Sequence, residues 1–195
     1  MVYALTGFMG CGKSSIGREA ARLAASCSAD GLQFLDLDAV IEEREGRSIP
    51  EIFAAVGEPG FRKIERAALQ YCLSDGEVRF GRKAILLLSL GGGTLTDEGS
   101  RELISRHCRC IYLRASIDTL VENLSADGIE GRPMLAGAIS GADDKESRLG
   151  ALRERISTLM AGRAPIYEAA ADHIIDIDGL SYTEAAEKVL GILRP

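Results

Sequence analysis

The chain has 195 residues, a length that predicts one compact domain with room for small insertions. Hydrophobic residues make up 46% and charged residues 27%, a composition typical of globular proteins that excludes a disordered or fibrous chain. The formal net charge of −6 argues against a general binder of nucleic acid or anionic membranes, although it allows a local basic site.

Five short apolar runs predict the strands of a parallel sheet, because such strands are apolar on both faces rather than alternating. The predicted strands cover residues 2–6, 33–36, 85–90, 110–113 and 173–176. Longer amphipathic stretches separate them, as in repeated βα units, and the pattern predicts an α/β fold.

Four helix starts can be placed between and after these strands. One helical pattern covers residues 13–25 and another covers residues 116–124. Two further helices open with a capping box, in which a serine stands three residues before a glutamate and both satisfy otherwise free backbone donors. The first box pairs Ser48 with Glu51, and the second pairs Ser181 with Glu184.

Two stretches interrupt the alternation of strands and helices. Residues 39–72 predict a long, mainly helical insert that breaks at residues 57–60, where the sequence is Gly-Glu-Pro-Gly. Residues 125–144 are rich in Gly, Ala and Asp and cannot bury much apolar surface. They predict a loop or a mobile lid.

A glycine-rich motif follows the first strand, where residues 7–14 match GxxxxGK[ST] in full. Its glycines let backbone N–H groups face a phosphate, and the next helix adds its positive N-terminus. Lys13 can then reach the β and γ phosphates, while the Ser14 hydroxyl can coordinate Mg²⁺. The alternative is a glycine turn with a solvated lysine, but the complete motif favours a nucleoside triphosphate site.

Two carboxylates, Asp36 and Asp38, stand at the carboxyl end of the second strand, where parallel sheets bind their ligands. Such carboxylates suit Mg²⁺ and a substrate hydroxyl. Alternatively, Asp38 is only the N-cap of a helix over residues 39–44, and Asp36 is a surface acid. The three glycines at residues 91–93 allow a ligand close to the backbone, although a plain strand-to-helix turn would look similar.

Three arginines outside the strands, Arg62, Arg132 and Arg163, are candidates for anion binding, because guanidinium groups form paired hydrogen bonds with carboxylate and phosphate oxygens. Taken singly, each is better explained as a solvated surface charge. Arg62 and Glu65 could also be a simple i,i+3 helical pair.

The remaining chemistry-bearing residues predict no separate site. Five cysteines without a repeated CxxC spacing indicate neither a disulfide framework nor a zinc site, and fit reduced thiols in a cytosol. Cys11 is interpreted as a small spacer, and His107 and His173 as structural residues. No apolar run approaches the ~20 residues of a membrane span. The first residues do not resemble a signal peptide, so we expect the chain to begin where its fold begins.

Taken together, six segments make the chain resemble the shikimate kinase family over nearly its whole length. They are GFMGCGKSSIG, FLDLD, EIFAAVGEPGFRKIE, LSLGGGT, GRPML and RAPIY, in this order. The resemblance implies a P-loop kinase fold of three α-β-α layers around a five-stranded parallel sheet. It implies a single domain over residues 1–195, with a substrate-binding helical insert at about 38–72 and a mobile lid at about 125–144.

The resemblance also implies the reaction, in which the ATP γ-phosphate moves to the 3-hydroxyl of shikimate in aromatic amino-acid biosynthesis. ATP would contact phosphate-loop residues and the lid arginine, namely Gly10, Cys11, Gly12, Lys13, Ser14, Ser15 and Arg132. Mg²⁺ would be held by Ser14 and, through water, by Asp36. Asp38 would accept the proton of the substrate hydroxyl, and Arg132 would neutralise charge on the phosphoryl group. Lys13, Asp38 and Arg132 would thus form the catalytic set.

For the acceptor, the resemblance implies that shikimate contacts four residues, namely Asp38, Arg62, Gly92 and Arg163. The two arginines would clamp its carboxylate, and Glu65 would position Arg62. Phe53 and Phe61 would form an apolar wall.

The chain departs from the family pattern beside the nucleotide base. Many members carry an arginine about seven residues before the lid arginine and another after the last strand, whereas here Ser125 and the segment 178–180 supply neither. Two alternatives stay open, a kinase for another hydroxy acid such as gluconate and a nucleotide-dependent switch, although no NKxD-type guanine reader is present. We expect a cytoplasmic monomer that binds shikimate and ATP, with no nucleic-acid or membrane partner.

Overall fold

Five parallel strands form one sheet in the computed structural model, which describes residues 1–26, 31–80, 85–128, 132–135 and 144–193. The strands are β1 (Val2–Thr6), β2 (Leu32–Asp36), β3 (Ile85–Ser89), β4 (Cys108–Arg114) and β5 (His173–Asp176). They lie in the order β2-β3-β1-β4-β5, and every neighbouring pair is parallel. The predicted α/β fold with a five-stranded parallel sheet is confirmed.

The central strands are buried on both faces, which explains their continuous apolar sequence. Leu5 of β1, Leu87 of β3 and Ile111 of β4 are each 0% exposed. The register places Val2 beside Leu86 on one side and beside Cys108 on the other. Strand β4 therefore begins two residues earlier than predicted, because its first residue already pairs with the start of β1.

Helices flank the sheet within the described residues. They are α1 (Lys13–Ser26), α2 (Leu37–Glu45), α3 (Ile49–Phe80), α4 (Glu98–His107), α5 (Ile117–Asp127), α6 (Lys145–Ala170) and α7 (Tyr182–Leu193). Helix α1 packs against α7, α2 against α3, and α5 against α6. In the part of the chain that the structure describes, no helix has both the length and the apolar character needed to cross a membrane.

Both predicted capping boxes lie where helices begin. The Ser181 backbone N–H donates to Glu184 Oε2 at 2.8 Å, and the Glu184 N–H donates to the Ser181 hydroxyl at 3.2 Å. The Ser48 N–H likewise donates to Glu51 Oε2 at 2.8 Å. The predicted break in the insert is also confirmed, because Gly57 has φ 65° and ψ 178° and divides α3.

The predicted lid, residues 125–144, falls only partly on the described residues. Helix α5 continues to Asp127, and residues 132–135 form a turn in which the Leu135 N–H donates to the Arg132 carbonyl at 2.9 Å. Leu135 is completely buried and anchors this turn to the core. Residues 129–131 and 136–143 lie outside the described residues, so the lid stays a prediction.

The strand order also fixes where a ligand can bind. From β1 the chain reaches β2 and β3 on one side of the sheet, and β4 and β5 on the other. A parallel sheet with such a reversal opens a crevice at the carboxyl ends of its central strands. The glycine-rich loop at residues 7–12 follows β1 and therefore lies at this crevice.

Candidate active site

The phosphate loop joins β1 to α1 and turns at two glycines. Gly10 has a φ of 81° and Gly12 a φ of 82°, values in the left-handed region that other residues disfavour. A Cβ on Gly10 would lie 2.7 Å from the Leu124 side chain. The Asn123 side chain donates a hydrogen bond to the Gly10 carbonyl at 2.9 Å. Helix α5 therefore supports the phosphate loop from outside.

Lys13 begins α1, and its side chain folds back over the loop. Its Nζ donates to the carbonyl oxygens of Gly7 at 2.9 Å and Phe8 at 3.0 Å. The residue is only 8% exposed. This burial excludes the alternative of a solvated lysine on a plain glycine turn.

A cavity of about 210 Å³ lies over the phosphate loop. Its lining combines loop residues with side chains from several other elements, namely Met9, Gly10, Gly12, Lys13, Ser14, Ser15, Asp38, Leu90, Gly92, Arg132 and Tyr182. Cys11 does not line this cavity, because its side chain is buried beside Gly7.

The two aspartates at the carboxyl end of β2 have different local roles. Strand β2 runs directly into α2, and the Asp36 carboxylate accepts from the Asp38 N–H at 3.1 Å, so Asp36 is the N-cap. The alternative that Asp38 caps a helix starting at residue 39 is therefore wrong. The helix begins two residues earlier, which leaves the Asp38 carboxylate available at the cavity.

Asp38 lies at the junction of two cavities, since it lines both. It is open to the cleft, yet protein atoms crowd its carboxyl group, and this burial raises the pKa of Asp38 to about 7. The carboxylates of Asp36 and Glu65 raise this pKa further, whereas the Lys13 ammonium lowers it. A carboxyl group that titrates near neutrality is suited to accept a proton.

The second cavity, of about 110 Å³, adjoins the first at the carboxyl end of β3. Its lining is Met9, Asp38, Ile49, Phe53, Phe61, Arg62, Glu65, Gly91, Gly92, Gly93, Arg132, Pro133, Met134 and Arg163. The rings of Phe53 and Phe61 pack with their centroids 4.3 Å apart. An apolar wall thus faces a set of charged side chains, as expected for the pocket of a small polar ligand.

Arg62 is held in this second cavity by a network of side chains. Its guanidinium donates to Glu65 Oε2 at 2.6 Å and to Glu58 Oε1 at 3.1 Å. Glu65 is fully buried, and its other carboxylate oxygen accepts from the Thr94 hydroxyl at 2.7 Å. Arg62 and Glu65 therefore belong to a buried network and are not merely an i,i+3 pair on a helix surface. Its Nε is buried and makes no hydrogen bond within the described residues.

Arg163 reaches the same cavity from α6 and is only 5% exposed. Its guanidinium donates to the Gly92 carbonyl at 3.3 Å and lies over the Phe8 ring at 5.7 Å from the centroid. The buried Tyr167 hydroxyl also donates to the Gly92 carbonyl. Two side chains from one helix thus fix the glycine that separates the cavities.

Arg132 lines both cavities. Its guanidinium donates to the Gly128 carbonyl at 2.6 Å. Each of the three arginines singled out in the sequence therefore lies at the site, and none of them is a solvated surface charge. His107 and His173 line neither cavity, because they end α4 and begin β5.

Comparison with known proteins identifies the class of enzyme to which this site belongs. The family model "Shikimate kinase" matches residues 9–194. The chain belongs to the shikimate kinase family. A shikimate kinase of Salinibacter ruber is 40% identical and covers 89% of this chain and 76% of its own length. One from Thermus thermophilus is also 40% identical and covers 95% of this chain and 86% of its own.

Solved structures of shikimate kinases agree with this assignment. The Acinetobacter baumannii enzyme in complex with shikimate matches with a TM-score of 0.76 and 28% identity, covering 98% of this chain and 92% of that one. The Bacteroides thetaiotaomicron enzyme has a TM-score of 0.78 and 28% identity, covering 100% and 99%. The family assignment decides against a nucleotide-dependent switch and against a kinase for gluconate.

Several residues at the site were not singled out in the sequence. Asn123, Tyr167 and Tyr182 each contact the phosphate loop or Gly92 from an element far away in the chain. Tyr167 belongs to the RAPIY segment, so its closeness to Arg163 in the sequence could have indicated that it lies at the site. Nothing in the sequence alone marks Asn123, because an asparagine in a helix is usually a solvated residue.

Proposed function

We propose that this chain transfers the γ-phosphate of ATP to the 3-hydroxyl of shikimate, giving shikimate 3-phosphate and ADP. One observation carries the proposal: the cavity over the phosphate loop and the acid-and-arginine cavity share four lining residues, Met9, Asp38, Gly92 and Arg132. An acceptor in one cavity therefore meets a phosphoryl group in the other. Phosphoryl transfer depends mainly on such positioning and on charge stabilisation.

On the nucleotide side, we propose that the backbone of residues 10–15 and the Lys13 ammonium bind the triphosphate. In this role Lys13 would exchange its two carbonyl partners for phosphate oxygens. The Cys11 backbone belongs to this loop, although its N–H already donates to the Phe8 carbonyl at 3.2 Å.

The residues at this cavity also fit Mg²⁺, which prefers oxygen ligands and keeps several of its waters. Ser14 and Asp38 both line this cavity, and Asp36, which does not line it, is the N-cap of α2 two residues before Asp38. We propose that Ser14 holds the ion directly and Asp36 through water. When bound, Mg²⁺ supplies charge neutralisation for the phosphate oxygens.

On the acceptor side, Asp38 is proposed as the general base. The substrate hydroxyl oxygen forms a bond to the γ-phosphorus, the bond from that phosphorus to ADP breaks, and the hydroxyl proton passes to the Asp38 carboxylate. The raised pKa of this carboxyl, about 7, suits a group that takes up and releases a proton near neutrality. Arg132 would stabilise negative charge on the transferred group.

The carboxylate of the acceptor is assigned to Arg62 and Arg163. Both guanidinium groups are largely buried at one cavity, and Glu65 fixes the orientation of Arg62. Burial strengthens a charge-assisted hydrogen bond because water competes less. Phe53 and Phe61 would face the apolar side of the ring.

The proposal also assigns roles to the helical insert and to the lid that the sequence predicts. A helical insert at about residues 38–72 would hold the acceptor, and a lid at about residues 125–144 would deliver Arg132 when both substrates are bound. We further propose a cytoplasmic monomer.

The proposal is tested by a coupled assay of ADP release with shikimate, quinate and gluconate side by side. We expect turnover with shikimate. We also expect ³¹P and ¹H NMR to show that the product carries its phosphoryl group on the 3-oxygen. Turnover with gluconate alone, or with none of the three, would contradict the proposed reaction.

A further inference from the structure

One backbone carbonyl at the acceptor cavity accepts two hydrogen bonds from the same helix. The Gly92 carbonyl receives the Tyr167 hydroxyl and also Nη1 of Arg163, both from α6. At 3.3 Å the arginine bond is longer than most N–H···O bonds, so the guanidinium is held there only weakly. The arginine can therefore leave this carbonyl at a lower cost than a well-formed bond would impose.

Arg163 differs from the other buried arginine of the cavity in what balances its charge. Arg62 pairs with Glu58 and Glu65, whereas no carboxylate pairs with Arg163 within the described residues. A buried guanidinium without an acid partner favours an anionic ligand. When its fork of donors turns toward a carboxylate, the long bond to Gly92 is the one to break.

Tyr167 is positioned to keep the Gly92 carbonyl paired when Arg163 turns away. Its side chain is 1% exposed, and its ring packs against that of Tyr112 in β4 with the centroids 5.3 Å apart. Burial raises the pKa of the Tyr167 hydroxyl, so this group keeps its proton and stays a donor at physiological pH. The donor is thus fixed in place before any ligand binds.

We propose that Tyr167 is a positioning residue, which takes over the Gly92 carbonyl and thereby frees Arg163 to bind the carboxylate of the acceptor. The inference rests on the proposed function, in which Arg163 belongs to the carboxylate clamp. Without the Tyr167 hydroxyl, Arg163 would be the one side-chain partner of this carbonyl among the described residues. Binding a carboxylate would then leave the carbonyl unpaired, and the acceptor would bind more weakly.

The test is an NMR titration of the full chain and its variants, which measures dissociation constants into the millimolar range. Tyr167→Phe keeps the ring and removes the hydroxyl. It should weaken shikimate by roughly 2- to 13-fold, as expected for one hydrogen bond, and leave the affinity for ATP unchanged. Tyr112→Phe removes a hydroxyl from the neighbouring ring and is the matched control, which should bind both ligands like the parent.

An Arg163→Ala background separates positioning from simple support of the cavity wall. Gly92 also touches the phosphate loop, because a Cβ there would lie 2.9 Å from the Met9 backbone nitrogen. A tyrosine that only supports Gly92 would therefore affect ATP as well, and its loss would add to that of Arg163→Ala. A tyrosine that acts through Arg163 should cause no further loss of shikimate affinity once Arg163 is absent.

Quinate and gluconate, which also carry a carboxylate, are titrated in parallel. If the parent binds one of them and not shikimate, the proposed function fails, and the comparison of Tyr167→Phe with Tyr112→Phe is made with the acid that binds.

Three results would overturn the role of Tyr167. In the first, Tyr167→Phe binds the acceptor as tightly as Tyr112→Phe does. In the second, Tyr167→Phe loses ATP and the acceptor to the same extent. In the third, Tyr167→Phe weakens the acceptor as much in the Arg163→Ala background as in the parent.

Discussion

The two cavities of the site bind charge in different ways. Over the phosphate loop, the groups proposed to bind the phosphates come from one continuous segment, residues 7–15, and are mostly backbone N–H groups with one lysine. The acceptor cavity instead uses side chains from distant parts of the chain. Its Glu65 bonds to Thr94 across 29 positions, and Arg163 bonds to Gly92 across 71.

This difference separates the recognition of phosphate, which is general, from the recognition of one acceptor, which is specific. A backbone loop recognises phosphate in any nucleoside triphosphate, because it reads only charge and shape. The acceptor cavity depends on the tertiary fold to bring Arg62, Arg163 and Asp38 to one point. Changes on the first side should therefore abolish turnover, and changes on the second should alter the affinity for one substrate.

The largest effect is expected for Lys13→Ala, which removes the ammonium group over the phosphate loop. Turnover should be abolished, because the transition-state charge loses its closest cation. The melting temperature should fall by only about 2 to 4 °C, as expected for about 1 kcal/mol from the lost bonds to the Gly7 and Phe8 carbonyls. Lys188→Ala, on the exposed face of α7, is the matched control. Activity within tenfold of the parent would remove Lys13 from the mechanism.

Next in size is Asp38→Asn, which keeps the shape of the side chain but removes its basicity. We expect kcat to fall by roughly 10² to 10⁴, with a smaller change in the binding of shikimate. An Asp118→Asn variant, altered at an exposed position in α5, should match the parent. An unchanged kcat would leave Asp38 without the role of base.

The pH dependence of the same pair sharpens this prediction. Because the active form of Asp38 is the carboxylate, kcat/KM of the parent should rise as the pH increases through about 7, and this step should be absent in Asp38→Asn. The sign for stability is opposite. A raised pKa means that the charged form destabilises the fold, so Asp38→Asn should melt higher than the parent at pH 8 and no higher at pH 4. Equal melting temperatures at pH 8 would contradict the crowded environment of this carboxyl group.

On the acceptor side, Arg163→Ala should raise the KM for shikimate by roughly thirty- to a thousandfold, corresponding to about 2 to 4 kcal/mol, with little change in the KM for ATP. Arg163→Lys should recover only part of the loss, because an ammonium lacks the fork of donors. Arg153→Ala, on the exposed face of the same helix, is the control. A loss of ATP affinity instead would move Arg163 to the nucleotide side.

The smallest effect is expected for Thr94→Val, which removes the hydrogen bond to Glu65. One buried bond to a charged group contributes about 1.5 to 3 kcal/mol. Part of this lost free energy should appear as lower thermal stability. The rest should appear as a severalfold rise in the KM for shikimate, since Glu65 orients Arg62. Thr94→Ser keeps the hydroxyl and should restore both values. If Thr94→Ser is as impaired as Thr94→Val, the methyl group and not the hydrogen bond matters.

Local patterns predicted the fold well. The strands, the two capping boxes and the break at Gly57 all follow from the preferences of short segments, and all are present. The errors were small shifts at element ends. Strand β4 begins two residues earlier than predicted because its first residues pair with β1. Helix α2 begins at Leu37, two residues earlier than predicted, because Asp36 and not Asp38 is its N-cap.

The site was harder to predict where contacts join distant segments. Glycines and Lys13 could be placed from spacing alone, and the arginines only through the family resemblance. Asn123 and Tyr182 carry no local signal, since their importance comes from the packing of α5 and α7 onto the phosphate loop.

The wall between the two cavities has a consequence for inhibitor design. Gly92 forms part of this wall, and a Cβ there would come within 2.9 Å of the Met9 backbone nitrogen. A single compound that spans both cavities would press against this glycine. A substitution at Gly92 that excludes such a compound would also have to displace the Met9 backbone in the phosphate loop, so we expect a variant resistant through this position to lose activity as well.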